Sequence, residues 1–154
     1  MINKGAIYLI AKDFDESLEF YKDLLEKDVC AQNEKRFAIF DIGGFSLAIM
    51  NSIYDIQNPD KVITMGLRYD EYDNFYEIAL KNNHGKVVIN LSSNDLNGDY
   101  ERLKNAGIGK NLTKIRYINA KNPYYYFSLK DPDDNIIEIT GMFNSEKYKL
   151  EFID

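Results

Sequence analysis

Glu138 sits in the run Ile136-Ile137-Glu138-Ile139-Thr140, a carboxylate inside an apolar stretch. A carboxylate so placed can serve as general acid or base beside a tyrosine, or hold a positive charge. Its plainer reading is a carboxylate satisfied by a neighbouring Tyr or Arg. Asp131, Asp133 and Asp134 crowd together just before it. They lack the spacing and the bidentate Glu of a calcium loop, so they read as turn caps. Tyr124-Tyr125-Tyr126 has high strand propensity, and alternation puts only two of the three on one face. Cys30 is the single cysteine and His84 the single histidine. Together they exclude an internal disulfide, a multi-cysteine metal site and any two-histidine metal motif within one chain. Cys30 is expected to be a half-buried structural thiol, and His84, beside Asn82, Asn83 and Gly85, an exposed turn residue. Gly43-Gly44 has no phosphate-loop context and reads as a hairpin turn.

The surrounding chain has 154 residues, 45% hydrophobic and 29% charged, which suits one globular domain, or two half-size modules sharing a core. Nineteen basic against twenty-five acidic residues give a net charge of −6 with no basic run. Such a chain is a poor nucleic-acid binder, because phosphate neutralisation drives that binding. The charge suits weak steering of cationic ligands. No apolar stretch is long enough for a membrane span, and the N-terminal residues lack a signal-peptide pattern. The expectation is a cytoplasmic protein.

The elements that position these residues come in two sets. Residues 6–11 are a short apolar run and read as a strand. Asp13 with Glu16 forms a capping box for a helix over roughly 14–27, whose stripe is Phe14, Leu18, Tyr21 and Leu25. Strand-like pieces follow at about 28–32, 35–41 and 45–51. In the second set, residues 86–92 form a strand. Asp95 caps a helix with Leu96, Tyr100 and Leu103, and Asn105-Ala106-Gly107 ends it. Strands follow at about 112–119, 124–130 and 135–140.

The two sets superimpose. Adding 82 carries Asp13, Phe14, Leu18 and Tyr21 onto Asp95, Leu96, Tyr100 and Leu103. Near the module ends a shift of 90 lays the segment starting at Asp41 on the one starting at Asp131. This is a tandem βαβββ arrangement, found by internal comparison. Modules of about 5–51 and 86–141 flank a linker of 52–84. Tyr72, Phe75, Tyr76, Ala79 and Leu80 are spaced for a helix within 69–82, read as a spacer packed on the sheet. The tail 142–154 reads as an edge strand or a dimer contact.

The pattern resembles the vicinal oxygen chelate superfamily of glyoxalases, extradiol dioxygenases, fosfomycin-resistance enzymes and bleomycin-resistance proteins. The resemblance rests on Asp13-x-x-x-Ser17-x-x-Phe20-Tyr21, on Tyr100-x-x-Leu103-x-x-Ala106-Gly107, and on Asp131-Pro132-Asp133-Asp134-Asn135-x-Ile137-Glu138-Ile139. It implies an α+β fold over 1–154, in which tandem βαβββ modules form a curved mixed sheet around a cavity with helices outside. Alternation then sends Ala6, Tyr8 and Ile10, with Ser46, Ala48 and Met50, to the cavity side. From the second module it sends Val88, Asn90 and Ser92, then Tyr124, Tyr126 and Ser128, then Ile136, Glu138 and Thr140. Arg116 has compatible parity.

Metal enzymes of that family take ligands from positions that here are Ala6, Ala48, Val88 and Glu138. Three of the four carry no donor atom, so no metal or other cofactor is expected. The resemblance then implies a function nearest the metal-free bleomycin-resistance branch: binding or sequestering a flat or cationic small molecule. Tyr8, Ser46, Met50, Asn90, Arg116, Tyr124, Tyr126 and Glu138 would line the site. The alternative is a lyase, isomerase or dioxygenase-like enzyme using Glu138. A third reading is an interaction module whose cavity is filled by its own side chains. The expected assembly is a homodimer, with neither nucleic acid nor membrane as a partner.

Overall fold

A computed structural model of the chain describes residues 5–59, 75–82, 85–118 and 124–143. In the first unit, residues 1–82, helix α1 (Phe14–Leu25) begins where the sequence places its cap. Asp13 keeps an extended backbone and its carboxylate accepts the Glu16 N–H at 3.0 Å. That bond satisfies one of the donors that a helix start leaves without an intrahelical partner. Phe14, Leu18, Tyr21 and Leu24 are buried along one face, with Ser17 and Phe20 beside them. The helix stops at Glu26, whose φ of 50° is left-handed.

This helix packs on β4 in a four-stranded sheet. The strands are β1 (Ala6–Ala11), β2 (Ala31–Asn33), β3 (Phe37–Asp41) and β4 (Ser46–Asn51), ordered β1-β4-β3-β2. The β1–β4 pair is parallel and the others are antiparallel. Ala38, Phe40, Leu47 and Ile49 are fully buried and form the core, with the Tyr21 ring 6.4 Å from that of Phe40. Each large apolar side chain so buried stabilises the unit by about 1.5–3 kcal/mol. Gly43 and Gly44, both at positive φ, turn β3 into β4, and the Ile42 N–H donates to the Phe45 carbonyl at 3.0 Å. Two short helices follow, α2 (Tyr54–Gln57) and α3 (Phe75–Leu80). The second packs against β1.

The second unit, residues 83–154, repeats this plan. Helix α4 (Leu96–Ala106) is capped by Asp95, which accepts the Gly98 N–H at 3.0 Å, and it ends at Gly107 with φ 66°. Strands β5 (Val88–Ser93), β6 (Arg116–Ile118), β7 (Tyr124–Lys130) and β8 (Ile136–Gly141) are ordered β5-β8-β7-β6, the same permutation. Pairing of Ala6 with Ser46 in one unit and Val88 with Ile136 in the other shows both shifts, 82 and 90, in one register. Ile89, Leu91, Leu96, Leu103, Phe127, Leu129, Ile137 and Ile139 are its buried apolar residues.

Several expectations change in detail. The thiol of Cys30 is exposed rather than half-buried, because it precedes β2, an edge strand exposed along its whole length. The strand expected at 28–32 runs from Ala31 to Asn33, and that expected at 112–119 is only Arg116–Ile118. Within the expected linker helix, α3 covers Phe75–Leu80; Ala79 is buried while Tyr76 and Leu80 are exposed. Tyr72, His84, the side chain of Tyr124 and residues 144–154 lie outside the described residues. Among the described residues no helix is long and apolar enough to cross a membrane.

Candidate functional site

Strand register fixes which residues share the sheet face opposite the helix. In the second unit Asn90 pairs with Glu138, and Glu138 with Ser128, so these three side chains form one row across β5, β8 and β7. The Asn90 amide donates from Nδ2 to Glu138 Oε1 at 2.7 Å, within the range of a charge-assisted bond. The next row is Ser92, Thr140, Tyr126 and Arg116. Arg116 therefore does share a face with Tyr126. Thr140 donates its hydroxyl to the Tyr125 carbonyl at 2.9 Å, which fixes its rotamer. The preceding row is Val88, Ile136 and Lys130.

The turn before β8 holds this register in place. Asp131 is 1% exposed. Its Oδ1 accepts the N–H groups of Asp133 and Asn135 at 3.0 and 2.8 Å, and its Oδ2 accepts the Asn135 amide at 2.7 Å. At the far side of the sheet, Thr113 brackets Ser128. Thr113 N–H donates to the Ser128 carbonyl at 2.8 Å, and the Ser128 N–H donates to Thr113 Oγ1 at 3.0 Å. Glu138 is thus carried on the central part of a strand whose neighbours on both sides are fixed.

The equivalent rows of the first unit differ in character. Tyr8, Ala48 and Ile39 stand where Asn90, Glu138 and Ser128 stand in the second, and Ile10, Met50 and Phe37 replace Ser92, Thr140 and Tyr126. Ser46 shares this face, between Ala6 and Asp41. Tyr8 is 65% exposed, an aromatic ring held out from the sheet. In these two rows the second unit is largely polar and the first apolar and aromatic. Phe37, Ile39 and Lys130 share these faces although the sequence reading did not single them out. Continuing the period of two along β3 and β7 finds all three.

Of the four positions that hold a metal in enzymes with this arrangement, Ala6, Ala48 and Val88 offer no donor atom and Glu138 alone offers a carboxylate. Among the described residues no group of three or more His, Cys, Asp or Glu side chains is arranged to hold an ion. A catalytic divalent ion takes about three protein ligands. Among the described residues, these positions do not supply them.

The fold is shared with solved structures. A glyoxalase-related enzyme from Fulvimarina pelagi superimposes with a TM-score of 0.60 at 16% identity, over 92% of this chain and 89% of that one. Lactoylglutathione lyase from Agrobacterium tumefaciens gives 0.58 at 15% identity, over 92% of each chain. A glyoxalase/bleomycin resistance protein/dioxygenase from Alicyclobacillus acidocaldarius gives 0.54 at 19% identity, over 94% of each. At such identities these likenesses carry the fold alone. No curated protein matches the chain. The sequence model of the Glyoxalase/Bleomycin resistance protein/Dioxygenase superfamily matches residues 5–139, which span both modules. The chain belongs to that superfamily.

Proposed function

We propose that the chain binds a small molecule against the open face of the second sheet, without a metal ion, and sequesters it rather than transforming it. The observation that carries this reading is the row Asn90–Glu138–Ser128. It sets one carboxylate, oriented by an amide at 2.7 Å, on a face whose other family ligand position is Val88. Tyr126 and Arg116 in the adjoining row offer planar surfaces for stacking, and Glu138 offers a counter-charge. A flat or cationic ligand fits both. Binding by Tyr8, Ser46 and Met50 of the first unit, pairing of two chains and a cytoplasmic location belong to the same proposal. The composite name glyoxalase/bleomycin resistance protein/dioxygenase of one solved structure includes sequestration and enzyme activities alike. A second reading is a lyase, isomerase or dioxygenase-like enzyme, favoured by the likeness to a lactoylglutathione lyase. It would need Glu138 to move a proton.

Metal stoichiometry separates the proposal from a metal-dependent enzyme, and turnover of the bound ligand separates it from a metal-free one. The purified protein and its Glu138→Gln variant are incubated with nickel, zinc, manganese or ferrous ion, desalted and analysed for bound metal. The proposal expects no retained ion, and a planar heteroaromatic cation that raises the melting temperature of the wild type but not of the variant. Near one ion per chain, lost in the variant, would overturn it and put the enzyme reading first.

A further inference from the structure

Asn97 and Gly98 form the single Asn-Gly pair of the chain, and they stand in the first turn of α4. An asparagine side chain is most open to attack by the backbone when glycine follows it, because glycine has no Cβ to crowd its own nitrogen. Once its proton is lost, the Gly98 nitrogen can attack Asn97 Cγ. An N–Cγ bond forms, the Cγ–Nδ2 bond breaks and ammonia leaves. Water then opens the five-membered imide at either carbonyl and leaves aspartate or isoaspartate. Water is the only co-reactant.

The fold opposes each of these steps. The Gly98 N–H donates to Asp95 Oδ1 at 3.0 Å, so the proton that must leave is held by a carboxylate. Asn97 lies within the helix, and closing the ring requires it to rotate out of the helical ψ of about −42°. The residue is 3% exposed, which keeps water from its side chain. The neighbouring Leu96 is fully buried, and the helix packs against β8. The glycine is tied to the cap, since a Cβ built on Gly98 would collide with Asp95 Oδ2. In α1 the shift of 82 puts Asp15-Glu16 at these positions. There Asp13, with φ −119° and ψ 109° against −141° and 81° at Asp95, accepts the same bond beside a full side chain. The cap of the second unit fits a glycine, and with the glycine comes the reactive pair.

We propose that Asn97 is a deamidation site, closed by the capped first turn of α4 and opened by fraying of that turn. The product does not fit when the turn re-forms. Aspartate places a carboxylate where Asn97 is nearly buried, and isoaspartate adds a methylene to the backbone of the first turn. Each captured opening therefore disturbs the packing of α4 on β8, the strand that carries Glu138. The site belongs to the second unit alone and depends on no ligand.

The test follows conversion at each asparagine by digestion and peptide mass spectrometry after incubation in mildly alkaline buffer. The samples are the wild type with and without urea, and the folded variants Asp95→Ala and Asp95→Ser. In urea, Asn97 is expected to convert before any other asparagine of the chain. In the folded wild type it is slowed at least as much as the Gly98 amide is slowed in hydrogen exchange, because ring closure must break the bond that protects that amide. Removing the cap populates the open turn, so Asp95→Ala converts about fivefold faster than the wild type, while Asp95→Ser keeps a capping oxygen and stays near the wild-type rate. Circular dichroism checks that both variants are folded. If the Ala variant unfolds, the comparison of deamidation with exchange in the wild type decides. Equal rates with and without urea, a slowing smaller than the exchange protection, a folded Asp95→Ala no faster than the wild type, or another asparagine converting first in urea would each overturn the proposal.

Discussion

Replacing Asp131 by Ala is expected to destabilise the second unit by about 3 kcal/mol. Asp131 is buried and accepts three N–H bonds within the β7–β8 turn. Bonds to a charged acceptor contribute about 1.5–3 kcal/mol each, and a buried donor left without a partner costs about 1–3 kcal/mol. The Asn135 side chain can swing to solvent, so most of the loss comes from the backbone N–H groups of Asp133 and Asn135. Asp131→Asn keeps an oxygen at the position of Oδ1 and so keeps both backbone bonds. It sets one amide nitrogen against another at Asn135 and costs about 1 kcal/mol. Urea unfolding followed by circular dichroism reads the difference. With a slope of about 2 kcal/mol per molar, the midpoint falls by about 1.5 M for Ala and about 0.5 M for Asn. An Ala variant whose midpoint matches the wild type, or an Asn variant as damaged as Ala, would refute the argument. The same turn sets the pairing of Lys130 with Ile136, so the Ala variant should also disturb the amide resonances of Asn90 and Glu138.

The two helix ends give paired predictions. Glu26→Gly at the left-handed end of α1 should stabilise by up to about 1 kcal/mol, while Gly107→Ala at the end of α4 should destabilise by about 1 kcal/mol. No atom lies within 4 Å of a Cβ built on Gly107, so that cost is conformational alone. Thermal unfolding of the two variants checks both signs. Gly141→Ala places a methyl 2.4 Å from the Ser93 carbonyl oxygen, a backbone atom with little freedom to yield. It should cost several times more than Gly107→Ala and remove hydrogen-exchange protection along β5.

Much of this architecture is legible in the residues. Asp13 and Asp95 announce their helices because a short carboxylate is the side chain that meets the first free N–H groups. The row containing Glu138 is legible because strand alternation is rigid once the Asp131 turn fixes where β8 begins. Edge elements are less so. β2 is exposed on every residue, so it carries no apolar alternation, and neither its bounds nor the exposure of Cys30 could be read from it. The four residues of α2 are too few to show a stripe. A cleft beside them gathers residues 32–35 and 51–58, which no periodic pattern links. It exists only once the hairpin and the turn after β4 have folded.

The paired rows Tyr8–Ala48–Ile39 and Asn90–Glu138–Ser128 occupy the same places in two copies of one backbone. The core residues of each unit are on the opposite face, on Phe40, Leu47 and Ile49 in one and Phe127, Leu129 and Ile137 in the other. Substitutions along these rows, the buried Ala48 apart, therefore leave the helix-facing packing largely untouched. One backbone plan thus carries an apolar row in the first unit and a carboxylate in the second. The chemistry of the open face can therefore be changed by substitution without changing the architecture beneath it.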